Sequence, residues 1–248
     1  MIILRGVKAG YGKRLVLKGV DLEVDGGFVA LLGPNGSGKT TLLKVISGIL
    51  RPFDGCVSVM GRSVDGWGRK EISKLLTLVS QDFYPIYDFT VRELVSLGRV
   101  PRMGFFPSGE DLRVVEEVLE KVGLRKLENR RFSQLSSGQK RLVMLARALA
   151  QEVKMILVDE LELHLDPFYK AFMARILKDF VEGGGVVISV FHDIELALSF
   201  ADRVVGIKDG RVVFDVESWG AEMGRRLYEL YGVEFVEGRG GVFHPWYH

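Results

Sequence analysis

Residues Gly33-Pro34-Asn35-Gly36-Ser37-Gly38-Lys39-Thr40 spell G-x-x-x-x-G-K-[ST] in full, and each part of that spacing has a physical purpose. Glycines let the backbone curl until several N–H groups point at one anion. A helix that follows turns the positive end of its dipole toward the same place. Lys39 supplies a point charge, the Thr40 hydroxyl can ligate Mg²⁺, and Thr41 continues the same turn. The chemistry this predicts is the grip of a polyphosphate together with its divalent cation. An ordinary glycine-rich turn is the alternative. It fits less well, because an apolar run at 28–32 precedes the loop and helical spacing at Leu42, Leu43, Ile46 and Ile49 follows it.

A second group stands far along the chain. The apolar run 155–158 ends in two carboxylates, Asp159 and Glu160. Ligands of parallel sheets bind at the carboxyl ends of strands, which would bring this pair beside the loop at Gly33. There Asp159 would hold Mg²⁺ through water and Glu160 would polarise an attacking water as general base. Strands often end in acidic turns, so the pair gains its meaning from the loop.

The elements that must position these groups read as follows. Residues 2–8 and 15–24 are strand-like, with Gly10-Tyr11-Gly12 between them, and 28–32 is a buried strand. The phosphate-binding loop leads into a helix at 41–50. Thr90 with Glu93, and Ser136 with Gln139, form capping-box patterns ahead of helices at 91–97 and through Ala150. Residues 111–122 are amphipathic. Runs at 155–158 and 186–190 look like buried strands, Asp166-Pro167 reads as an N-cap with proline at the first helical position of a helix reaching about Val181, and 211–214 is a late strand. The fold expected is α/β. It is a mixed sheet flanked by helices, with an antiparallel N-terminal part and an inserted helical subdomain. The boundaries are 1–83 and 151–215 for the core, 84–150 for the insert and 216–248 for a C-terminal extension.

Leu135-Ser136-Ser137-Gly138-Gln139 lies between the insert and the acidic strand. It is also a plain capping box. With the loop before it and the carboxylates after it, the chain resembles an ATP-binding-cassette ATPase, whose P-loop core carries the signature LSGGQ. The resemblance runs from Tyr11 to about Phe214. It implies ATP and Mg²⁺ as ligands, and a dimer of two identical chains in which Ser136, Gly138 and Gln139 of one copy meet the γ-phosphate held by the other. It further implies that Tyr11 stacks on adenine, that Gln81 contacts Mg²⁺ and the attacking water, that Asp166 crosses the dimer interface and that His192 reaches the γ-phosphate. Two residues depart from the pattern. Ser137 replaces a glycine, which is strained if that position needs a positive φ and harmless if it is helical. Leu161 stands where proline is usual.

Three segments narrow the resemblance to importers of iron-siderophore, haem and cobalamin cargo. They are Thr90-Val91-Arg92-Glu93-Leu94-Val95-Ser96-Leu97-Gly98-Arg99, the histidine at 164 before Leu165-Asp166, and the tail Leu230-Tyr231-Gly232-Val233-Glu234-Phe235. The partners implied are a transmembrane permease docked near Phe83, Tyr84 and Phe89 and, indirectly, an extracytoplasmic binding protein. The place implied is the cytoplasmic face of the membrane, peripherally. Import of molybdate or tungstate, or a non-transport role in DNA repair or on ribosomes, are the alternatives.

Bulk composition agrees. The 248 residues are 47% hydrophobic with a net charge of +2, enough for a large core and without the basic stripe of a nucleic-acid binder. A single cysteine, Cys56, excludes an internal disulfide framework. The apolar start at 2–4 is too short for a signal peptide, and no apolar run has the ~20 residues of a membrane span.

Overall fold

The computed structural model describes residues 1–80, 85–160, 165–220, 222–237 and 243–245. Its centre is β3 (Phe28–Leu32), buried along its whole length. Five strands join it in one sheet: β6 (Leu76–Ser80), β7 (Met155–Asp159), β8 (Val186–Val190), β9 (Arg203–Lys208) and β10 (Arg211–Val216). The order is β10-β9-β3-β8-β7-β6, parallel except for β10. Such a strand is apolar on both faces because helices or a second sheet cover each side. Its period of two divides it cleanly. Phe28, Ala30 and Leu32 enter one core, and Val29 and Leu31 enter another.

The second core is closed by α1 (Lys39–Ile46) and by an antiparallel sheet of β1 (Ile2–Tyr11), β2 (Arg14–Val24), β4 (Asp54–Val59) and β5 (Arg62–Ser63). This sheet runs in the order β2-β1-β4-β5. The short α2 (Arg69–Ile72) leads into β6. The first core is covered by α3 (Val91–Ser96), α4 (Gly109–Lys121), α5 (Ser137–Ala150), α6 (Pro167–Glu182), α7 (Ile194–Phe200) and α8 (Glu222–Tyr231). A small pair, β11 (Phe235–Glu237) with β12 (Phe243–Pro245), follows. Among the described residues no helix is long and apolar enough to cross a membrane.

Both capping boxes form. Thr90 accepts from Glu93 N at 3.2 Å and its own N–H donates to Glu93 Oε2 at 2.7 Å. Ser136 and Gln139 do the same at 3.3 and 3.1 Å. The helix after the glycine-rich loop starts two residues earlier than its apolar spacing suggests. It stops at Ile46, because Gly48 turns the chain with φ 72°. The first strand reaches Tyr11, past the glycine that seemed to end it. Strands β4, β5, β9, β11 and β12 and helices α2, α7 and α8 have no counterpart in the sequence expectation.

One buried charge holds the helical region together. Arg99 donates from Nε to Asp111 Oδ1 at 2.9 Å and from Nη1 to Ala150 O and Glu152 Oε2, both at 2.7 Å. It thereby ties the start of α4 to the end of α5. The hydroxyl and N–H of Ser108, and then Arg99, hold the Asp111 carboxyl at about 2, below its ordinary 3.8. A carboxyl depressed on folding contributes stability that is complete above pH 3.8 and lost as pH falls through about 2. Asp111→Asn should therefore lower stability at neutral pH, by up to about 3 kcal/mol. It should also flatten the fall in melting temperature between pH ~4 and ~2, which a series of thermal melts would measure.

Candidate active site

β3 delivers the chain into the loop at 33–38. A methyl group on Gly33 would stand 2.0 Å from Ile207 O, so only a bare Cα can leave the sheet here beside β9. Gly38, at φ 110°, is the N-cap of α1 and offers no side chain to it. By contrast α3, α4, α5 and α6 are each capped by a hydroxyl or carboxylate. The first turn of α1 thus keeps its N–H groups for an external acceptor.

Around that turn the polar groups converge. Lys39 is 4% exposed, and its Nζ donates to Gly33 O at 2.6 Å and Pro34 O at 3.0 Å. Burial pushes its pKa down, while Glu160 and Asp159 pull it back up. Thr40 donates its hydroxyl to Asp159 Oδ1 at 2.9 Å. Burial raises the Asp159 pKa against the bond from Thr40, with Glu160 adding to the rise. The Ser37 hydroxyl is buried with no hydrogen-bond partner among the described residues. A buried orphan hydroxyl, a desolvated ammonium and uncapped N–H groups around one turn are what an anion of high charge would satisfy.

Three strands end in line beside this turn. Ser80 pairs with Asp159 and Asp159 with Val190, so Glu160 and the residues that follow Val190 lie past that end of the sheet. Glu160 sits there in a left-handed conformation, φ 53°, with Oε1 2.7 Å from His192 Nε2. Gln81, the expected third member, lies outside the described residues, as does Leu161. A cleft of about 290 Å³ opens between the loop and the β1–β2 hairpin. Tyr11, Arg14 and Val16 form one wall, and Asn35, Gly36, Gly38, Lys39, Thr40, Thr41 and Glu160 the other. The Tyr11 ring is half exposed, with Lys44 Nζ 5.8 Å from its centroid.

Ser136, Gly138, Gln139 and Asp166 do not line that cleft. Ser136 and Asp166 are exposed N-caps of α5 and α6, and Asp166 accepts from Tyr169 N at 3.1 Å. Ser137 is the first residue of α5 and carries no positive φ, so serine fits there without strain. The glycine that follows is the demanding one. A methyl group on Gly138 would lie 2.6 Å from the Tyr169 ring, so α5 and α6 meet at their first turns.

Three groups at the site lie outside the sequence expectation. Arg14 and Val16 continue the hairpin from Tyr11. Tyr231, at the end of α8, accepts a hydrogen bond from Gly33 N at 3.0 Å. No spacing in the sequence marks it. Gly138→Ala should cost about 1–3 kcal/mol by overpacking against Tyr169. Combined with Tyr169→Ala it should cost less than the sum of the two, a coupling that urea titrations of the four proteins would measure.

The site has known counterparts. The family model described as ABC transporter matches residues 17–162. The phosphonates import ATP-binding protein PhnC of Thiobacillus denitrificans is 36% identical, over 88% of each chain. The hemin import ATP-binding protein HmuV of Streptomyces coelicolor is 36% identical, over 84% of this chain and 74% of that one. The ferric enterobactin transport ATP-binding protein FepC of Escherichia coli K12 is 32% identical, over 92% and 87%. Among solved structures, the dimeric ATP-binding cassette MJ0796 in a post-hydrolysis state bound to ADP and Pi superposes with a TM-score of 0.78 at 31% identity, over 89% of this chain and all of that one. With its loop, carboxylate pair and capped signature helix in that arrangement, the chain belongs to the ABC transporter family, as one of its ATP-hydrolysing cassettes.

Proposed function

We propose that this chain is the ATP-hydrolysing subunit of a membrane importer, working as a pair of identical copies on the cytoplasmic side of a permease. The observation that carries the proposal is the meeting of Lys39, Thr40, Asp159 and Glu160 at one helix start. Several relatives bear the names of import ATP-binding proteins. The loop from Gly33 to Thr41 would cradle the phosphates, with Ser37 and Lys39 satisfied by their oxygens, and Tyr11 would take the base. Mg²⁺, held by Thr40, Asp159 and Gln81, would supply charge neutralisation on the phosphates. Glu160 would orient and deprotonate the attacking water, and His192, 2.7 Å away, would keep that carboxylate aimed and face the terminal phosphate.

Ser136, Gly138, Gln139 and Asp166 lie apart from the cleft of their own chain, which supports their use by a second copy. Of the residues expected at the permease groove, Phe83 and Tyr84 lie outside the described residues; half-buried Phe89 remains a candidate, joined by exposed Tyr87 in edge contact with it at 6.1 Å. An extracytoplasmic binding protein would deliver cargo to the permease. Resemblance in the insert and tail favours iron-siderophore, haem or cobalamin cargo, and the kinship with PhnC supports phosphonates as a second reading.

Glu160→Gln should bind ATP within a few-fold of the wild type and lower turnover by about 10²–10⁴-fold. With ATP and Mg²⁺ it should elute as a dimer in size-exclusion chromatography. Wild-type turnover would remove Glu160 from its role, and a monomer at saturating nucleotide would end the shared-site reading. For cargo, co-purification of the neighbouring permease followed by uptake of labelled hemin against a phosphonate separates the two classes.

A further inference from the structure

The family match ends at residue 162, yet the phosphate-binding loop is fastened to a residue 198 positions beyond its own start. Tyr231 closes α8. That helix is anchored on three apolar residues that are at most 1% exposed, Met223, Leu227 and Leu230. Phe235 packs on the Tyr231 ring with centroids 6.0 Å apart, and Lys208 of β9 donates to Glu229 O at 2.5 Å. The phenol is therefore held from several sides, and its oxygen accepts the N–H of Gly33, the first residue of the loop. The Gly33 carbonyl, on its other side, accepts from Lys39.

We propose that Tyr231 is a positioning residue for the phosphate-binding loop, through which the C-terminal segment sets this chain's affinity for nucleotide. The inference rests on the reading of the loop as the nucleotide site. When Lys39 turns its charge to a phosphate, Gly33 O gives up that donor, and the bond from Gly33 N to Tyr231 is the tie that keeps the loop's first residue in place. Without the phenol oxygen the buried N–H must find another partner. The free loop then relaxes, and nucleotide has to restore the bound shape at the expense of affinity. Burial raises the phenol's pKa to about 12, so the tie does not titrate in the working range.

The test is Tyr231→Phe, which removes one oxygen and keeps the packing. Binding of ADP–Mg²⁺ by calorimetry, and KM and kcat for ATP, are compared with the wild type and with Tyr228→Phe, an exposed tyrosine on the same helix. The result expected is a Kd and KM raised about 3- to 10-fold. That ratio should be constant from pH 6 to 9, with kcat at saturation within two-fold and Tyr228→Phe unchanged. Unaltered Kd and KM overturn the proposal, and so does a lower melting temperature with unaltered affinity, because Tyr231 would then only support the fold. A wild-type chain that binds no nucleotide refutes the underlying reading instead. Should the variant not fold, hydrogen exchange of the wild type decides. The Gly33 amide should be as protected as those of β3, with and without ADP, and free exchange in either state overturns the proposal.

Discussion

A hydroxyl of the first turn of α1 and a carboxylate at the tip of β7 share one proton bridge, Thr40 to Asp159, across 119 residues of chain. Everything around the cleft is arranged so that this contact can exist. β3, which feeds α1, is not the neighbour of β7, for β8 stands between them. The start of α1 must therefore lean over one strand to reach the next, and the glycine at 33 lets the chain leave the sheet at an angle that permits it. The contact also sets the local electrostatics. Lys39 is pulled from water into a place where Asp159 and Glu160 are its counter-charges, and Asp159 is crowded by burial and by its acidic neighbour. Neither sign of charge is comfortable there alone. The turn is poised to take up a group that brings negative oxygens and a cation together.

The two hydrophobic cores explain how so few residues can be held this firmly. Each parallel strand sends alternate side chains to opposite faces, so β3, β7, β8 and β9 are clamped between the helices and the antiparallel sheet. Their carboxyl ends, where the chain turns out of the sheet, carry Asp159, Glu160 and His192. The left-handed backbone of Glu160 is a cost borne at such an exit. The strand order fixes where the carboxylate emerges, and local conformation only has to aim it.

Much of this was readable from residues alone, and the reasons are specific. The loop motif is contiguous, its residue types follow from anion binding, and capping boxes are four-residue patterns with a local cause. Ser136, Thr90 and Asp166 accordingly cap their helices as their spacing suggests. Helix α1 was displaced because glycine chemistry, not apolar spacing, decides where it begins and ends. α8 does carry helical spacing at Met223, Leu227 and Leu230, but no capping box precedes it, and its partners, β9 and the first core, are distant in sequence. The same distance hid Tyr231, since a phenol that meets an amide 198 residues away leaves no local trace. Ser137 shows the converse. The sequence posed the question of strain, and the helical backbone answers it.

The close approach of Gly138 to the Tyr169 ring has a mechanical corollary. α5 and α6 are docked at the very ends that carry Ser136 and Asp166, so neither tip can swing without dragging the other. A twin molecule approaching this surface would meet a single stiff prong with two chemically different points. In the shared-site reading proposed above, engagement at one point would bring the other into register. The spacing of the two points is set within one copy by the packing of α5 on α6.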